Sequence, residues 1–349
     1  MKTIVTDTYE TVPLPLGSST NFRVLYIEPC SKPESEIFCN LQVRIMKPPP
    51  PYIALSYTWG EPTPTRTIQL NRKPFQIRQN LWDFLVEART RALTTMIWVD
   101  ALCIDQTQDS ERSHQVSMMD RIYSTARHVI VWLGRATAFM ERTLPAIRIA
   151  YFEQLEINGV INLKGAGYVT EEFSMAVRDI CERQYWNRVW ILQEFAPVRK
   201  IVMWYGSQVV DEIALMWLLK TGKPYPRNVL PSAQSQLLEE EDWAQQFNRV
   251  MSYRSTLQVT NYRQCLEYVL ARFGGNMGCS DSRDGLFALL SLIDPEEIHH
   301  LGLTTDYTKS AEEIFQDTWN AIRKIIRQDL WTGLRCSQGI VFYFHMVLP

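Results

Sequence analysis

The chain has 349 residues, 46% of them hydrophobic and 21% charged, with 36 basic and 38 acidic side chains and a formal net charge of -2. That length supports one large domain or two moderate ones around a sizeable core. The near-neutral balance argues against nucleic acid or an anionic membrane surface as the main partner. Seven cysteines form no CxxC pair, and the start "MKTIVTDTYE" carries acids where a leader needs an apolar core. Reduced thiols in a cytoplasmic protein are therefore expected. The longest apolar run, "GIVFYFHMVLP", is too short to span a bilayer.

Residues 1–50 read as an N-terminal extended region with one strand candidate, "FRVLYIEP" at 22–29. Four prolines at 48–51 form a stiff spacer and mark a domain boundary. Four short apolar runs follow: "YIALSYTWG" (52–60), "TMIWVD" (95–100), "HVIVWLG" (128–134) and "KIVMWYG" (200–206). Their near-continuous apolarity fits strands buried on both faces. Near-complete burial is expected at Leu55, Ile97, Val99, Ile130 and Val202. Between the runs, "RTIQLNRKPFQIRQ" (66–79) alternates about a hairpin turn, and helical spacing predicts helices over 80–93 and 109–126. Residues 51–206 thus read as an α/β domain with a mainly parallel sheet flanked by helices, plus a β-hairpin.

Residues 207–349 read as a mainly helical C-terminal region, with candidate helices at 211–220, 235–253, 261–272, 282–293 and 310–328. Gly274, Gly275 and Gly278 suit a turn better than a phosphate loop. No GxGxxG, Walker A, GxSxG or HExxH motif occurs, and the five histidines have no partner at metal-ligand spacing. The expected site therefore holds no metal.

In an open parallel sheet, ligands bind outside the carboxyl ends of the strands. That edge would carry Ser56, Tyr57, Trp59, Gly60 and Glu61 from "SYTWGE", then Asp100, Asp105 and Gln106 from "IWVDALCIDQ", then Gly134. The segment "YWNRVWILQEF" (185–195) could fold over the same edge and bring Arg188, Gln193 and Glu194. A structural reading stands beside this one. An aspartate between a strand and a helix commonly accepts loop N–H groups, and Arg188 can serve an ordinary ion pair. Cys103, between apolar neighbours, reads as a small buried hydrophobe.

The segments "YIALSYTWGEP", "IWVDALCIDQTQDSERSHQVSMMDRIYSTARHVIVWLG" and "YWNRVWILQEFA" resemble three successive blocks of the fungal heterokaryon incompatibility (HET) domain. "DSRDGLFALLSLID" and "TTDYTKSAEEIF" resemble the segment found downstream in such proteins, so the resemblance runs from 52 to 312. Asp105 stands where the family commonly carries asparagine. A tryptophan-and-proline segment is absent, and the apolar tail is unfamiliar, as a truncated product would leave it. The resemblance implies fungal non-self recognition, with activation leading to growth arrest or cell death. HET domains are in turn distantly similar to TIR domains, which implies a flavodoxin/TIR-like sheet. Some TIR domains cleave NAD with a glutamate, and position in "RVWILQEF" makes Glu194 the corresponding carboxylate.

Two functions follow, beside a third reading as a degenerate HET protein with no activity. One is a death-inducing signalling module acting by self-association or through a protein partner, with no cofactor. The other is an NAD glycohydrolase with NAD as substrate and Glu194 and Asp100 as catalytic carboxylates, the glutamate gripping ribose hydroxyls as nicotinamide leaves. Asp105 is expected nearer the following helix, as a turn acceptor.

Overall fold

The computed structural model describes residues 8–15, 20–32, 35–48, 50–158, 171–195, 198, 200–215, 245–260, 263–275 and 277–332. Parts of the candidate helices 211–220, 235–253 and 261–272, and the apolar tail, lie outside the described residues. The strands are β1 (Asn21–Ile27), β2 (Phe38–Ile45), β3 (Tyr52–Tyr57), β4 (Thr65–Leu70), β5 (Lys73–Arg78), β6 (Met96–Trp98), β7 (Val129–Trp132), β8 (Ile201–Tyr205) and β9 (Gln208–Val210). They form one sheet in the order β5-β4-β2-β1-β6-β3-β7-β8-β9.

The four apolar runs are the central strands β6-β3-β7-β8, and all their mutual ladders are parallel. Every residue of β3 and β7 is buried, as strands covered on both faces require. The sheet as a whole is mixed, not mainly parallel. β1 runs antiparallel to β6 and β2, the β4–β5 hairpin is antiparallel, and β9 folds back antiparallel on β8. Only the outer β2–β4 ladder adds another parallel pairing. The short β4–β5 and β8–β9 connections leave no room for a crossover, so these pairs must be antiparallel.

Of the N-terminal strands, the sequence pattern identifies β1 and misses β2. In "FCNLQVRI" burial alternates and its solvent-side residues dilute the apolar signal. The proline run lies between β2 and β3, two strands of the same sheet. Arg23 of β1 is buried and holds both carboxylate oxygens of Glu111 at 2.5 and 2.9 Å, with the Cys103 carbonyl at 3.1 Å. The N-terminal strand is thereby tied to the helix Asp109–Val116.

Alternation along the central strands sorts the covering helices. Trp132 and Trp204 lie in register on one face, where Phe84 of the helix Gln79–Thr90 packs at 6.0 and 5.8 Å between ring centroids. Trp98 is in register with Ala54 on the opposite face and meets Tyr123 of the helix Met119–Thr125 at 5.3 Å. Helices therefore cover both faces. The expected single helix at 109–126 is two, Asp109–Val116 and Met119–Thr125, broken at Ser117–Met118. The helices Ala138–Asn158 and Glu171–Cys181 are additions the sequence reading did not name. Leu55, Ile97, Val99 and Ile130 are buried, but Val202 is only half-buried, because β8 lies one strand from the sheet edge.

The C-terminal helices Gln245–Thr260, Leu266–Phe273, Asp284–Leu290, Pro295–Leu301 and Ala311–Thr332 follow. Two of them, Gln245–Thr260 and Asp284–Leu290, pack onto the 185–195 segment. Phe247 meets Trp186 at 4.6 Å, and Arg254 donates to the Phe195 carbonyl at 2.8 Å.

Candidate functional site

β3 ends at Tyr57, and Thr58, Trp59 and Gly60 turn the chain into the hairpin. Gly60 takes φ +76°, a left-handed backbone that disfavours side-chain-bearing residues. Arg78 donates to the Gly60 carbonyl at 2.6 Å and Asn80 to the Thr58 carbonyl at 2.5 Å, so the turn is held from its own downstream hairpin and helix. β6 ends two residues before Asp100, which opens the short helix Asp100–Cys103. Asp100 accepts from the Trp59 indole at 2.8 Å and from the Ala101 N–H at 2.7 Å. Gln106 donates to the Asp100 carbonyl at 3.1 Å.

The segment 185–195 docks beside this edge as a 3-10 turn, Gln184–Asn187, and a short helix, Ile191–Glu194. Arg188 grips both oxygens of Glu194 at 3.1 and 3.0 Å. Ser56, on the inner face of β3, donates to Glu194 Oε2 at 2.5 Å and lies 2.7 Å from the Tyr185 hydroxyl. Glu194 is 1% exposed. Its two oxygens take three donors, which is how a buried carboxylate offsets lost hydration.

Electrostatics perturb Asp100. Burial pushes the Asp100 carboxyl up to about 6; Glu194 adds to the rise, while Arg188, Trp59 and the Ala101 N–H oppose it. Burial works against the Arg188 charge, but the facing Glu194 carboxylate more than compensates and holds the guanidinium above its ordinary value. Tyr57 and Tyr185 are raised by burial, with Asp100 and Glu194 respectively the largest charged contributors, so both remain neutral hydroxyls. Asp100 is thus able to exchange a proton near pH 6.

The remaining candidates are placed as follows. Asp105 is buried and accepts from the Thr107 N–H at 3.0 Å and hydroxyl at 2.7 Å, a turn role. Glu61 is exposed. Gln193 points away from the edge and donates to the Phe287 and Ala288 carbonyls at 3.2 and 2.9 Å. Cys103 is buried, its thiol pushed up to about 12 by that burial. Ser56, Trp59, Asp100, Arg188 and Glu194 therefore form one cluster, while Glu61, Asp105 and Gln193 stand apart from it.

Sequence reasoning missed Tyr185 and Asn80. Tyr185 lies in the quoted segment, but nothing local signals that its hydroxyl meets Ser56. Asn80 bridges the two central turns, accepting from the Trp132 indole at 2.9 Å while donating to Thr58. Beside the cluster opens a cavity of about 890 Å³, bounded by Thr58 and Gly60 after β3, Gly134 and Arg135 after β7, and Tyr185. Among the described residues no group of three or more His, Cys, Asp or Glu side chains could hold a metal ion. No helix among them is long and apolar enough to cross a membrane.

Fold and site together define an α/β protein with a closed polar cluster at the carboxyl edge of its central parallel strands. The Heterokaryon incompatibility protein (HET) family model matches residues 52–194, which take in the whole cluster. The chain is also 26% identical, over an alignment of 368 residues, to Heterokaryon incompatibility protein 6, OR allele, of Neurospora crassa. That alignment covers 88% of this chain and 53% of the relative, so the chain spans about half the length of the curated relative it matches. No solved structure matches the chain. Residues 52–194 are thus similar to the HET domain.

Proposed function

We propose that this chain acts in fungal non-self recognition, in the cytoplasm. Its HET domain would drive growth arrest or cell death by self-association or by contact with a protein partner. The family match and the incompatibility relative support the first part. The observation that carries the second is the closure of Glu194: Arg188 and Ser56 occupy both oxygens, and no face of the carboxylate is left for a substrate. Such a cluster serves as a latch that fixes the 185–195 segment on the sheet. Inducible expression in a fungal host, with viability and NAD content followed together, tests the proposal. Lost viability with NAD intact is the expected result; full viability in cells holding the folded chain would overturn it.

A second reading is a TIR-like NAD-cleaving enzyme using Glu194 and Asp100. Two observations favour it. The central strands lie in the order second-first-third-fourth along the chain, as in doubly wound sheets. Asp100 is also pushed up to about 6 at the carboxyl edge of the sheet. Catalysis would require the Arg188 pair to open. NAD loss that tracks viability and vanishes in Glu194→Gln would favour this reading.

A further inference from the structure

The cavity beside the cluster occupies a defined place in the topology. From β3 the chain passes to β6 on one side, and from β6 it returns across β3 to β7 on the other. The turns that leave β3 and β7 therefore diverge, and the crevice between them is where open α/β sheets take ligands. At about 890 Å³ it has the size of a small-molecule site. Gly60 and Gly134 border it with φ +76° and +97°, so both turns present bare backbone at the mouth.

We propose that this cavity binds a nucleotide, with the phosphate on the Arg135 guanidinium and the base against Phe139 and Met175. Arg135 lines the mouth and is 61% exposed; its Nε meets Asp83 at 2.9 Å and its guanidinium lies 6.0 Å from the Trp82 ring. These contacts orient the group and leave its two terminal nitrogens without a partner among the described residues. A fork held this way matches a phosphate in two parallel hydrogen bonds. The other two arginines of the lining are engaged: Arg178 with Glu182 at 2.8 Å and Arg183 with Asp179 at 2.6 Å. Met175 is 55% exposed on the cavity wall, with Phe139 half-buried beside the same space. An exposed apolar wall facing an oriented guanidinium suits a flat base joined to an anion better than it suits a sugar or a metal. Tyr185 lines the same cavity while its hydroxyl meets Ser56, so a bound ligand would reach the Ser56–Glu194 latch through Tyr185.

The inference holds whether or not NAD is cleaved. Titration calorimetry on the full chain tests it with AMP, which has no nicotinamide to lose, and with adenosine and inorganic phosphate as its halves. AMP is expected to bind once per chain, more tightly than either half. Arg135→Glu should weaken AMP by at least about tenfold and leave adenosine unchanged. Met175→Glu should weaken both AMP and adenosine. Met175→Glu, at a side chain more than half exposed, should melt as wild type does, and Arg135→Gln, which sets no like charge against Asp83, should weaken AMP in the same direction as Arg135→Glu. No AMP binding at millimolar concentration, equal AMP affinity in wild type and Arg135→Glu, or phosphate binding alone would each overturn the assignment.

Discussion

Arg188 and Glu194, six residues apart, meet through two parallel hydrogen bonds of 3.1 and 3.0 Å in a position where the carboxylate is 1% exposed. The pair joins the third HET-like block to Ser56 in the first. Removing either charge leaves the other uncompensated in the interior. Glu194→Gln and Arg188→Ala should each lower stability by about 3–5 kcal/mol. Ser56→Ala, which removes one donor, should cost about 1–3 kcal/mol. Urea unfolding of the purified variants measures this, and unchanged midpoints would refute the latch. NAD turnover on the same Glu194→Gln sample separates the two functional readings.

Asp100 supplies a pH test. Its carboxyl rises from 3.8 to about 6 on folding, so the native state binds a proton more tightly than the unfolded chain. The resulting stabilisation is full below about pH 4 and is lost as pH rises through about 6. Asp100→Asn keeps an oxygen for Trp59 and cannot ionise. Between pH 4 and 7 the wild type should lose up to about 3 kcal/mol relative to this variant. Parallel denaturation curves at pH 4, 5, 6 and 7 follow the difference, and a constant offset would remove Asp100 as its source.

The C-terminal region should prove inseparable from the sheet. Asp284 accepts from the Trp190 indole at 3.1 Å and the Tyr307 hydroxyl at 2.5 Å, and Arg112 stacks 3.6 Å from the Tyr307 ring centroid. Asp284→Ala should cost about 1–3 kcal/mol for each buried donor left without a partner. Tyr307→Phe, which leaves Trp190 bonded, should cost less. Limited proteolysis should yield no stable fragment ending near residue 206.

Core depth predicts a contrast along the sheet. Ile130 on β7 is fully buried, and Ile130→Ala should cost about 2–5 kcal/mol. Val202, its in-register neighbour on β8, is half-buried. Val202→Ala should cost clearly less, and equal losses in thermal unfolding would contradict the burial seen here.

Much of the central sheet was readable because the signal is local. "YIALSY" and "VIVW" are apolar on successive residues, which a strand covered on both faces demands, and Asn71–Arg72, both at positive φ, close the expected β4–β5 hairpin. Where solvent covers one face, as along β2, the apolar run breaks up and the strand was missed. β9, only three residues long, carries too little pattern to stand out.

The sequence by itself determined which segments become the central strands and that carboxylates and an arginine cluster near their ends, since periodicity and strand-end position are properties of short stretches. Only the tertiary structure decided which of these groups meet. Gln193 and Glu194 are adjacent, yet one donates to helix carbonyls near residue 287 and the other closes on Arg188 and Ser56. The one-turn helix Ile191–Glu194 rotates consecutive side chains by about 100°, so its docking between sheet and C-terminal helices assigns each its surroundings. Burial and pairing, and with them the charge each group can hold, depend on partners that include residues more than 90 positions away.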